Sequence, residues 1–348
     1  MRALASISQS ALAHNISLVK QYSQGAKVVA MVKSNAYGHH FDLISPLIQE
    51  ADLLAVSELS EARKLRQYTQ QPILLLSGVY SQTELHEAIN LNCRIVVHEL
   101  AQLAIVLNTK SNIKVWLQIE TGMHRLGLFE QDFAKVVEKI QQHPNIYIET
   151  VMSHFACADK PDDPHNQQQY DKFNRIVKSH WKKSMANSAA ILSNPSSVFD
   201  FVRPGIMLYG ASPFHEKHSE LKPVMKLSAP IISINKVAKG ESIGYGATWV
   251  ADKDSKIAVV GIGYGDGYPR HAPSGTPVLI NQRLCSLVGR VSMDLITVDV
   301  SGVETQLGDK AILWGVDKLP AEVVAKYANT ISYELFTGVS NRVNFKLV

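Results

Sequence analysis

The sequence predicts an α/β fold in which an N-terminal (β/α)8 TIM barrel is followed by a mostly β domain. Up to about residue 210, short apolar runs alternate with amphipathic helical patterns, which is the alternation expected of a parallel barrel. From about residue 222, strand-like runs follow one another without long helices, and glycine turns separate several of them. The length of 348 residues suits one large domain and a smaller one. We therefore expect a barrel over residues 1–220 and a β domain over residues 221–348.

The first helix is predicted over residues 9–24. Ser8 is a suitable N-cap, and Gly25 ends the helix because glycine readily adopts the left-handed conformation found there. Two further helices are predicted over residues 58–68 and 130–142. The apolar face of the first helix carries Leu12, Ile16 and Val19.

Eight short runs are the candidate barrel strands, and the run at 183–187 is the weakest of them. Their spacing also permits a doubly wound sheet, which stays the alternative at this point. The runs cover residues 27–33, 52–56, 72–76, 94–97, 113–119, 147–152, 183–187 and 201–203.

The predicted β domain contains six strand-like runs and one late helix near residues 320–328. A polar stretch at residues 212–222 is predicted to be the linker before it. The six runs cover residues 224–237, 256–262, 277–280, 284–291, 294–300 and 310–314.

Composition and charge exclude several classes of protein. Lys and Arg number 35 against 31 Asp and Glu, and no long basic run occurs, so nucleic acid is not an expected partner. No apolar run reaches the length of a membrane span, and the N-terminus has no signal-peptide pattern. No CxxC or HExxH pattern supports a metal site, and the odd number of widely spaced cysteines favours a reducing compartment. We therefore expect a cytoplasmic protein that does not bind membranes or metals.

Lys33 closes the apolar run 27–33 and precedes the turn sequence Ser-Asn-Ala-Tyr-Gly. This pattern predicts a buried strand whose last residue is a lysine that opens into a loop. The low dielectric at a strand end can lower the pKa of a lysine, whose neutral amine is a nucleophile. On this segment alone, the alternative is a lysine that extends from the strand edge to water.

Polar side chains follow other predicted barrel strands at the same topological position. Because the carboxyl ends of barrel strands face one mouth, we expect these groups to converge with Lys33. A lysine there can form a Schiff base with an aldehyde, and the loops after the last strands often bind phosphate. Lysine, phosphate site and positioned cation together predict a site for pyridoxal phosphate (PLP). The converging side chains are Arg125, His154, Asn187, Ser188 and Arg203, with backbone N–H groups after Arg203.

Eight motifs, in one order along the chain, resemble the alanine racemase family, whose members are PLP-dependent enzymes of fold type III. The resemblance runs from about residue 2 to the C-terminus and covers both predicted domains. It implies a bacterial cytoplasmic isomerase that interconverts L-alanine and D-alanine and supplies D-alanine for peptidoglycan. The motifs are VKSNAYGHH, TGMHRLG, SHFACAD, Asn187-Ser188, VRPGIMLYG, GYGATW, GYGDGYPR and GRVSMD.

The resemblance also implies roles for the residues that would bind the cofactor. Lys33 would hold PLP covalently and then act as one of two acid/base groups. Arg203 would face the pyridine nitrogen, and His154 would orient Arg203. The phosphate would be bound by Tyr37, Ser188, Gly205 and Ile206.

For the substrate, the resemblance implies that Tyr245 is the second acid/base group and that Arg125 and Met293 bind the carboxylate. Tyr245 and Met293 would reach the active site of the other subunit, which implies a homodimer with two composite sites. The entry would be lined by Tyr264, Arg270, Arg290 and Asp294.

Racemisation itself requires two proton-transfer groups. A single base would mostly return the α-proton to the face it came from, whereas Lys33 and Tyr245 on opposite faces avoid this. A free tyrosine titrates near pH ~10, so Tyr245 needs a cationic neighbourhood to serve as a base. Arg203 is a poor proton donor, so it would leave the pyridine nitrogen unprotonated and disfavour decarboxylation and transamination.

Two positions depart from patterns common in the family. Gln118 stands where many members have a carbamylated lysine that supports the arginine of the TGMHR motif. Either an anion such as chloride or hydrogen bonds alone would then orient Arg125. Asn341 stands where some members have a tyrosine near the phosphate and the entry.

Three alternatives carry different functions. A PLP-dependent decarboxylase of similar architecture would place an acidic group at the pyridine nitrogen, where this chain would place Arg203. A non-catalytic PLP carrier resembles a single-domain chain, and the second domain here argues against it. A broader-specificity racemase for serine or basic amino acids stays open, because one methylene is worth only ~1–3 kcal/mol of discrimination.

Overall fold

The computed structural model describes residues 3–214 and 216–348, and these fold into two compact units. The barrel unit comprises Ala13–Ala36 and His40–Leu208. The β unit comprises the described part of Met1–Leu12 together with Tyr37–His39 and Tyr209–Val348. Among the described residues, no helix combines the length and apolarity needed to cross a membrane.

Eight parallel strands of the barrel unit close into a ring. Each strand pairs with the next along the chain, and Phe201–Arg203 pairs with Lys27–Met31 to complete it. Closure confirms the predicted (β/α)8 barrel and excludes the doubly wound sheet. The strands are Lys27–Met31, Leu53–Val56, Ile73–Leu75, Cys93–Val97, Ile113–Gln118, Ile146–Met152, Lys183–Asn187 and Phe201–Arg203.

The helices around the barrel form because their apolar residues recur on one face. Glu130–Gln141 buries Phe133, Val136 and Ile140, and its first turn carries acidic residues, which the helix dipole favours. The helices up to residue 193 are Gln9–Tyr22, Ser45–Glu50, Leu59–Leu65, Gln82–Asn90, Leu100–Val106, Glu130–Gln141, Pro164–Ile176 and Ser188–Ser193.

The first helix, Gln9–Tyr22, begins as predicted and ends two residues early. The Ser8 hydroxyl accepts a hydrogen bond from the Ala11 N–H at 3.2 Å, as an N-cap does. Gln24 and Gly25 both have positive φ, which stops the helix before the predicted limit. The predicted apolar face is buried at Leu12, Ile16 and Val19.

The first barrel strand ends at Met31, so the prediction that Lys33 is its last residue is wrong. The Val32 N–H still donates to the Ala55 carbonyl at 2.9 Å, which carries the ladder of hydrogen bonds one residue past the strand. Lys33 begins the turn that follows, and it therefore still lies at the carboxyl end of the strands.

Six antiparallel strands of the β unit close into a second barrel, with Met225–Val237 paired to Ser255–Val260. Two outer strands extend this sheet. Leu4–Ile7 pairs antiparallel with Met225–Val237 and parallel with Asn344–Leu347. The six strands, in order around the barrel, are Ser255–Val260, Ile296–Asp299, Arg283–Leu287, Pro277–Ile280, Lys310–Trp314 and Met225–Val237.

The mostly β character of the second part of the chain is confirmed, and its late helix is Ala321–Tyr327. The sequence patterns missed the strands Leu4–Ile7 and Asn344–Leu347 and the helix Ser332–Gly338. The first strand of the chain therefore belongs to the β unit. The predicted division after residue 220 stays a prediction.

Candidate active site

Lys33 is followed by a left-handed helical turn built without glycine. Ser34, Asn35, Ala36 and Tyr37 all have φ between 52° and 58°. Each such residue costs ~1–2 kcal/mol relative to the right-handed conformation, so the surroundings must hold the turn in place. Strain of this kind is concentrated at functional sites, where it orients side chains.

The Lys33 amine lies in an environment that favours its neutral form. Burial lowers its pKa, and the nearby positive charge of Arg125 lowers it further. The carboxylate of Glu61 acts in the opposite direction and raises the pKa. A half-buried lysine with a lowered pKa is a suitable nucleophile and proton acceptor.

Arg203 ends the last barrel strand, and its guanidinium is buried and held by several acceptors. Its Nη1 donates to the Ser184 hydroxyl at 2.7 Å. Its Nη2 donates to the Ser153 carbonyl at 2.5 Å and to Nδ1 of His154 at 3.1 Å. The predicted pairing of His154 with Arg203 is therefore present.

The protonation states of this pair follow from burial and charge. Burial lowers the pKa of Arg203 to about 10, so the guanidinium stays charged at neutral pH. Burial, and then the positive charges of Arg203, Arg125 and Lys33, lower the pKa of His154 to about 3. Because arginine only donates, Nδ1 of the neutral imidazole accepts and Nε2 carries the proton.

Ser188 lies where the seventh barrel strand passes into the helix Ser188–Ser193. Its hydroxyl accepts hydrogen bonds from the N–H groups of Gly205 at 2.8 Å and Met207 at 3.4 Å. Ile206 lies between these two donors and begins a short 3₁₀ turn. Both lone pairs of the hydroxyl are thereby used, and its own proton can be donated to an anion.

Arg125 lies in an exposed loop and lines a cavity of about 360 Å³. The loop is fixed on both sides. The side-chain amide of Gln118 donates to the Leu126 carbonyl at 2.8 Å, and the Glu120 carboxylate accepts the His124 N–H at 2.7 Å. Gln118 thus holds the residue that follows Arg125. This favours the alternative in which hydrogen bonds, and not a bound anion, orient Arg125.

Tyr37 belongs to the β unit, where it is buried among other aromatic side chains. Its ring stacks on Tyr209, with centroids 4.9 Å apart and planes inclined by 21°, and lies 5.9 Å from Tyr333. Burial, together with Tyr333, raises the pKa of Tyr37, so its hydroxyl remains a donor. Tyr209 lies within the motif VRPGIMLYG, but no sequence pattern indicated that its ring packs against Tyr37.

The predicted acid/base tyrosine and the entry residues also lie in the β unit. Tyr245 is 69% exposed, Met293 52% and Tyr264 41%. The Tyr264 N–H donates to the Ser292 carbonyl at 3.0 Å, and the Gly265 N–H to the Met293 carbonyl at 2.8 Å. The structure therefore brings together the segments that carry Tyr264 and Met293.

Charged residues surround these two segments. Arg342 bonds to the carboxylate of Asp294 and pairs with that of Asp266 at 3.3 Å. Arg270 and Arg290 line one cavity of about 310 Å³. Asn341 is exposed beside Arg342. No sequence pattern indicated a role for Arg342, because its partners are distant along the chain.

Comparison with known families matches nearly the whole sequence. Residues 7–213 match the family described as alanine racemase, N-terminal domain. Residues 224–347 match the family described as alanine racemase, C-terminal domain.

Individual proteins match at full length. The alanine racemase of Vesicomyosocius okutanii is 58% identical over 345 residues, which cover 99% of this chain and 98% of that protein. The biosynthetic alanine racemase from Pseudomonas aeruginosa, a crystal structure, is 39% identical with a TM-score of 0.96, and the match covers 100% of both chains. The alanine racemase from Bartonella henselae with covalently bound pyridoxal phosphate is 27% identical with a TM-score of 0.92, also over 100% of both chains.

Proposed function

Since this chain belongs to the alanine racemase family and is a PLP-dependent isomerase of alanine, we propose that Lys33 and Tyr245 carry its two proton transfers. The observation that carries the proposal is the Lys33 amine, whose pKa is lowered by burial at the mouth of a barrel. The second proton-transfer group must act on the opposite face of the substrate.

The side chains of the barrel unit fit PLP. The cofactor needs an amine for its aldehyde, donors for its phosphate and a partner for its ring nitrogen. Lys33 supplies the amine, Ser188 supplies a hydroxyl proton beside the Gly205 N–H, and Arg203 supplies a fixed cation. Tyr37 and Ile206 would add donors to the phosphate. When bound, PLP acts as an electron sink that makes the α-proton of the amino acid acidic.

Arg203 would control which reaction follows. Its guanidinium is held by Ser184, Ser153 and His154, so it would face the ring nitrogen in a fixed orientation. Its pKa of about 10 makes proton transfer to that nitrogen unfavourable. The site would therefore favour proton exchange at the α-carbon over decarboxylation or transamination.

The substrate carboxylate would be bound by Arg125 and by the backbone N–H of Met293. Tyr264, Arg270, Arg290 and Asp294 would line the entry. A narrow aromatic entry admits a methyl side chain, and the arginines attract an anionic carboxylate.

Tyr245 and Met293 would act in the active site of a second copy of this chain. The exposure of Tyr245, Met293 and Tyr264 supports this, because Met293 and Tyr264 lie on hydrogen-bonded segments and clustered exposed apolar side chains mark surfaces that bind a partner. The active form would be a homodimer with two composite sites, each with Lys33 from one subunit and Tyr245 from the other. In a bacterial cytoplasm the product D-alanine would supply peptidoglycan synthesis.

The direct test is chiral analysis of L-alanine incubated with purified protein and PLP. Wild type should approach an equal mixture of L-alanine and D-alanine, Lys33→Ala should be inactive and Tyr245→Phe nearly so. Tyr327→Phe is the matched control, since Tyr327 is another exposed tyrosine of the β unit and should be dispensable. Formation of D-alanine by Lys33→Ala at the wild-type rate would refute the proposal.

The composite site has its own test. When the inactive Lys33→Ala and Tyr245→Phe proteins are mixed and allowed to exchange subunits, each mixed dimer contains one intact site. Activity should return to about a quarter of the wild-type value if exchange is random. Two proteins that stay inactive after proven exchange would show that both residues come from one subunit.

A further inference from the structure

We propose that Glu61 is a positioning residue for Lys33, because its carboxylate ties the left-handed turn after Lys33 to the next barrel strand and faces the lysine with a negative charge. The inference rests on the proposed role of Lys33 as the reactive lysine. Glu61 lies in the helix Leu59–Leu65, in the barrel unit.

The contacts of the Glu61 carboxylate join two neighbouring units of the barrel. Oε1 accepts the N–H of Ser34, the residue after Lys33, at 2.5 Å. Oε2 accepts the N–H groups of Ser57 at 2.9 Å and Glu58 at 3.2 Å, just after the second barrel strand. One side chain thus connects the end of that strand to the backbone beside the lysine.

The turn needs such a tie because its conformation is unfavourable. Four residues without glycine, from Ser34 onward, adopt left-handed angles, at ~1–2 kcal/mol each. Inside the turn, the Ala36 N–H donates to the Val32 carbonyl at 2.7 Å. At its start, Glu61 provides a charge-assisted hydrogen bond, which is roughly twice as strong as a neutral one. Loss of that bond would release Ser34 and let the direction of the Lys33 side chain vary.

The charge of Glu61 also acts on the amine. The other charged group that faces Lys33 is Arg125, from the loop after the fifth barrel strand, and it lowers the pKa of Lys33. His154, after the sixth strand, is near enough to Lys33 for the lysine to lower its pKa, but it is neutral at pH 7. Glu61 is therefore the negative charge that counteracts burial and Arg125. Its removal should lower the pKa of Lys33 further.

The experiment measures the Lys33 amine in the PLP-free full-length protein. Trace labelling with acetic anhydride across a pH series, followed by mass spectrometry of the Lys33 peptide, gives the midpoint at which the amine loses its proton. In Glu61→Gln the midpoint should fall by about 0.5–1 pH unit. Glu50→Gln is the matched control, since Glu50 forms an exposed ion pair with Lys20 and should leave the midpoint unchanged.

A second measurement tests the hydrogen bond between Glu61 and the Ser34 N–H. PLP binding, followed by the visible absorbance of the bound cofactor, should weaken about tenfold in Glu61→Ala, which cannot accept the Ser34 N–H. Glu61→Gln keeps an amide oxygen that can accept this N–H, so its affinity should fall less. Circular dichroism checks that each variant is folded.

The outcomes separate this inference from the proposed function. A wild-type midpoint in folded Glu61→Gln would overturn the electrostatic part, and wild-type PLP affinity in Glu61→Ala would overturn the tie. A purely structural role would lower stability without moving the midpoint. Failure of the proposed function would appear elsewhere, as Lys33→Ala that still binds PLP covalently or racemises alanine.

Discussion

Arg203 donates through Nη2 to Nδ1 of His154 at 3.1 Å, and this bond joins a permanent cation to an imidazole that must stay neutral. The pKa of His154 is about 3 in the folded protein, against ~6.5 for a free histidine. The unfolded chain therefore binds more protons at this position between about pH 3 and pH 6.5, so stability falls as the pH is lowered through that window.

The first prediction concerns this acid-side loss of stability. His154→Gln keeps an acceptor for Arg203 but has no titrating ring. We expect its free energy of unfolding to depend less on pH between 4 and 6.5, by up to about 1.4 kcal/mol per pH unit. Urea unfolding at several pH values measures this slope. His86→Gln, at an exposed histidine, is the control. Equal slopes for His154→Gln and wild type would show that His154 takes up protons in the folded protein as it does in the unfolded chain.

The second prediction concerns the Ser188 hydroxyl. Ser188→Ala removes the acceptor of the buried Gly205 N–H and the donor proposed for the phosphate. We expect the dissociation constant for PLP to rise about tenfold, because a hydrogen bond to a charged group is worth ~1.5–3 kcal/mol and the variant cannot donate one to the phosphate. Equilibrium dialysis of PLP measures it. Ser193→Ala, which removes only a hydroxyl bonded to the Ala189 carbonyl in the same helix, should bind PLP as wild type does.

Sequence patterns predicted the barrel well because most of its strands are short, contiguous apolar runs. These runs alternate with helical patterns along the chain. The pattern at Lys33 predicted its place at the barrel mouth but not the left-handed turn after it. Ser34 and Ala36 have no local preference for positive φ, so only the surrounding contacts impose it. No sequence pattern indicated that Glu61 contacts the turn after Lys33, since a glutamate in the first turn of a helix usually interacts with that helix alone.

The strand Leu4–Ile7 was missed for a related reason. Its partners lie more than two hundred residues away, in Met225–Val237 and Asn344–Leu347, and no local signal reports such pairing. The paired segments of Tyr264 and Met293 likewise depend on hydrogen bonds between distant residues. The residues named for the entry came from the resemblance and not from a pattern in the chain, and their roles stay predictions.

The third prediction concerns Arg342, which pairs with Asp266 and Asp294, the residues beside Gly265 and Met293 in the chain. Arg342→Met should loosen the segments that carry Tyr264 and Met293. We expect KM for alanine to rise several-fold, with little loss of unfolding free energy, because Arg342 is half exposed and solvent screens its ion pairs. Steady-state kinetics at low and high salt measures the effect.

Two comparisons sharpen the test of Arg342. Arg342→Lys keeps the positive charge and should restore part of the affinity, whereas Arg283→Met, at an exposed arginine of the same unit, should behave as wild type. An unchanged KM in Arg342→Met would mean that the ion pairs do not hold the segments that carry Tyr264 and Met293.

The fourth prediction concerns the close approach of backbone at Gly263. A Cβ atom at Gly263 would lie 2.3 Å from the Ser292 carbonyl oxygen and 2.4 Å from that of Met293, so Gly263→Ala must push the two segments apart. The hydrogen bonds from Tyr264 and Gly265 to these same carbonyls would be lost or lengthened. We expect a loss of unfolding free energy of ~1–3 kcal/mol. Racemisation should fall at least tenfold, because a displacement of about 1 Å at an active site can cost 10²-fold.

Gly261 provides the matched comparison, two residues away in the same unit. The atoms nearest to a Cβ atom there would be in the Ile232 side chain, at 3.4 Å, and in Pro230, at 3.7 Å, and both are ordinary contacts. Gly261→Ala should therefore retain both stability and activity. Thermal unfolding and the chiral assay, run on both variants, distinguish a specific clash at Gly263 from a general intolerance of the loop. Equal losses in the two variants would attribute the effect to loop flexibility, and the close backbone approach would then not be what positions Tyr264 and Met293.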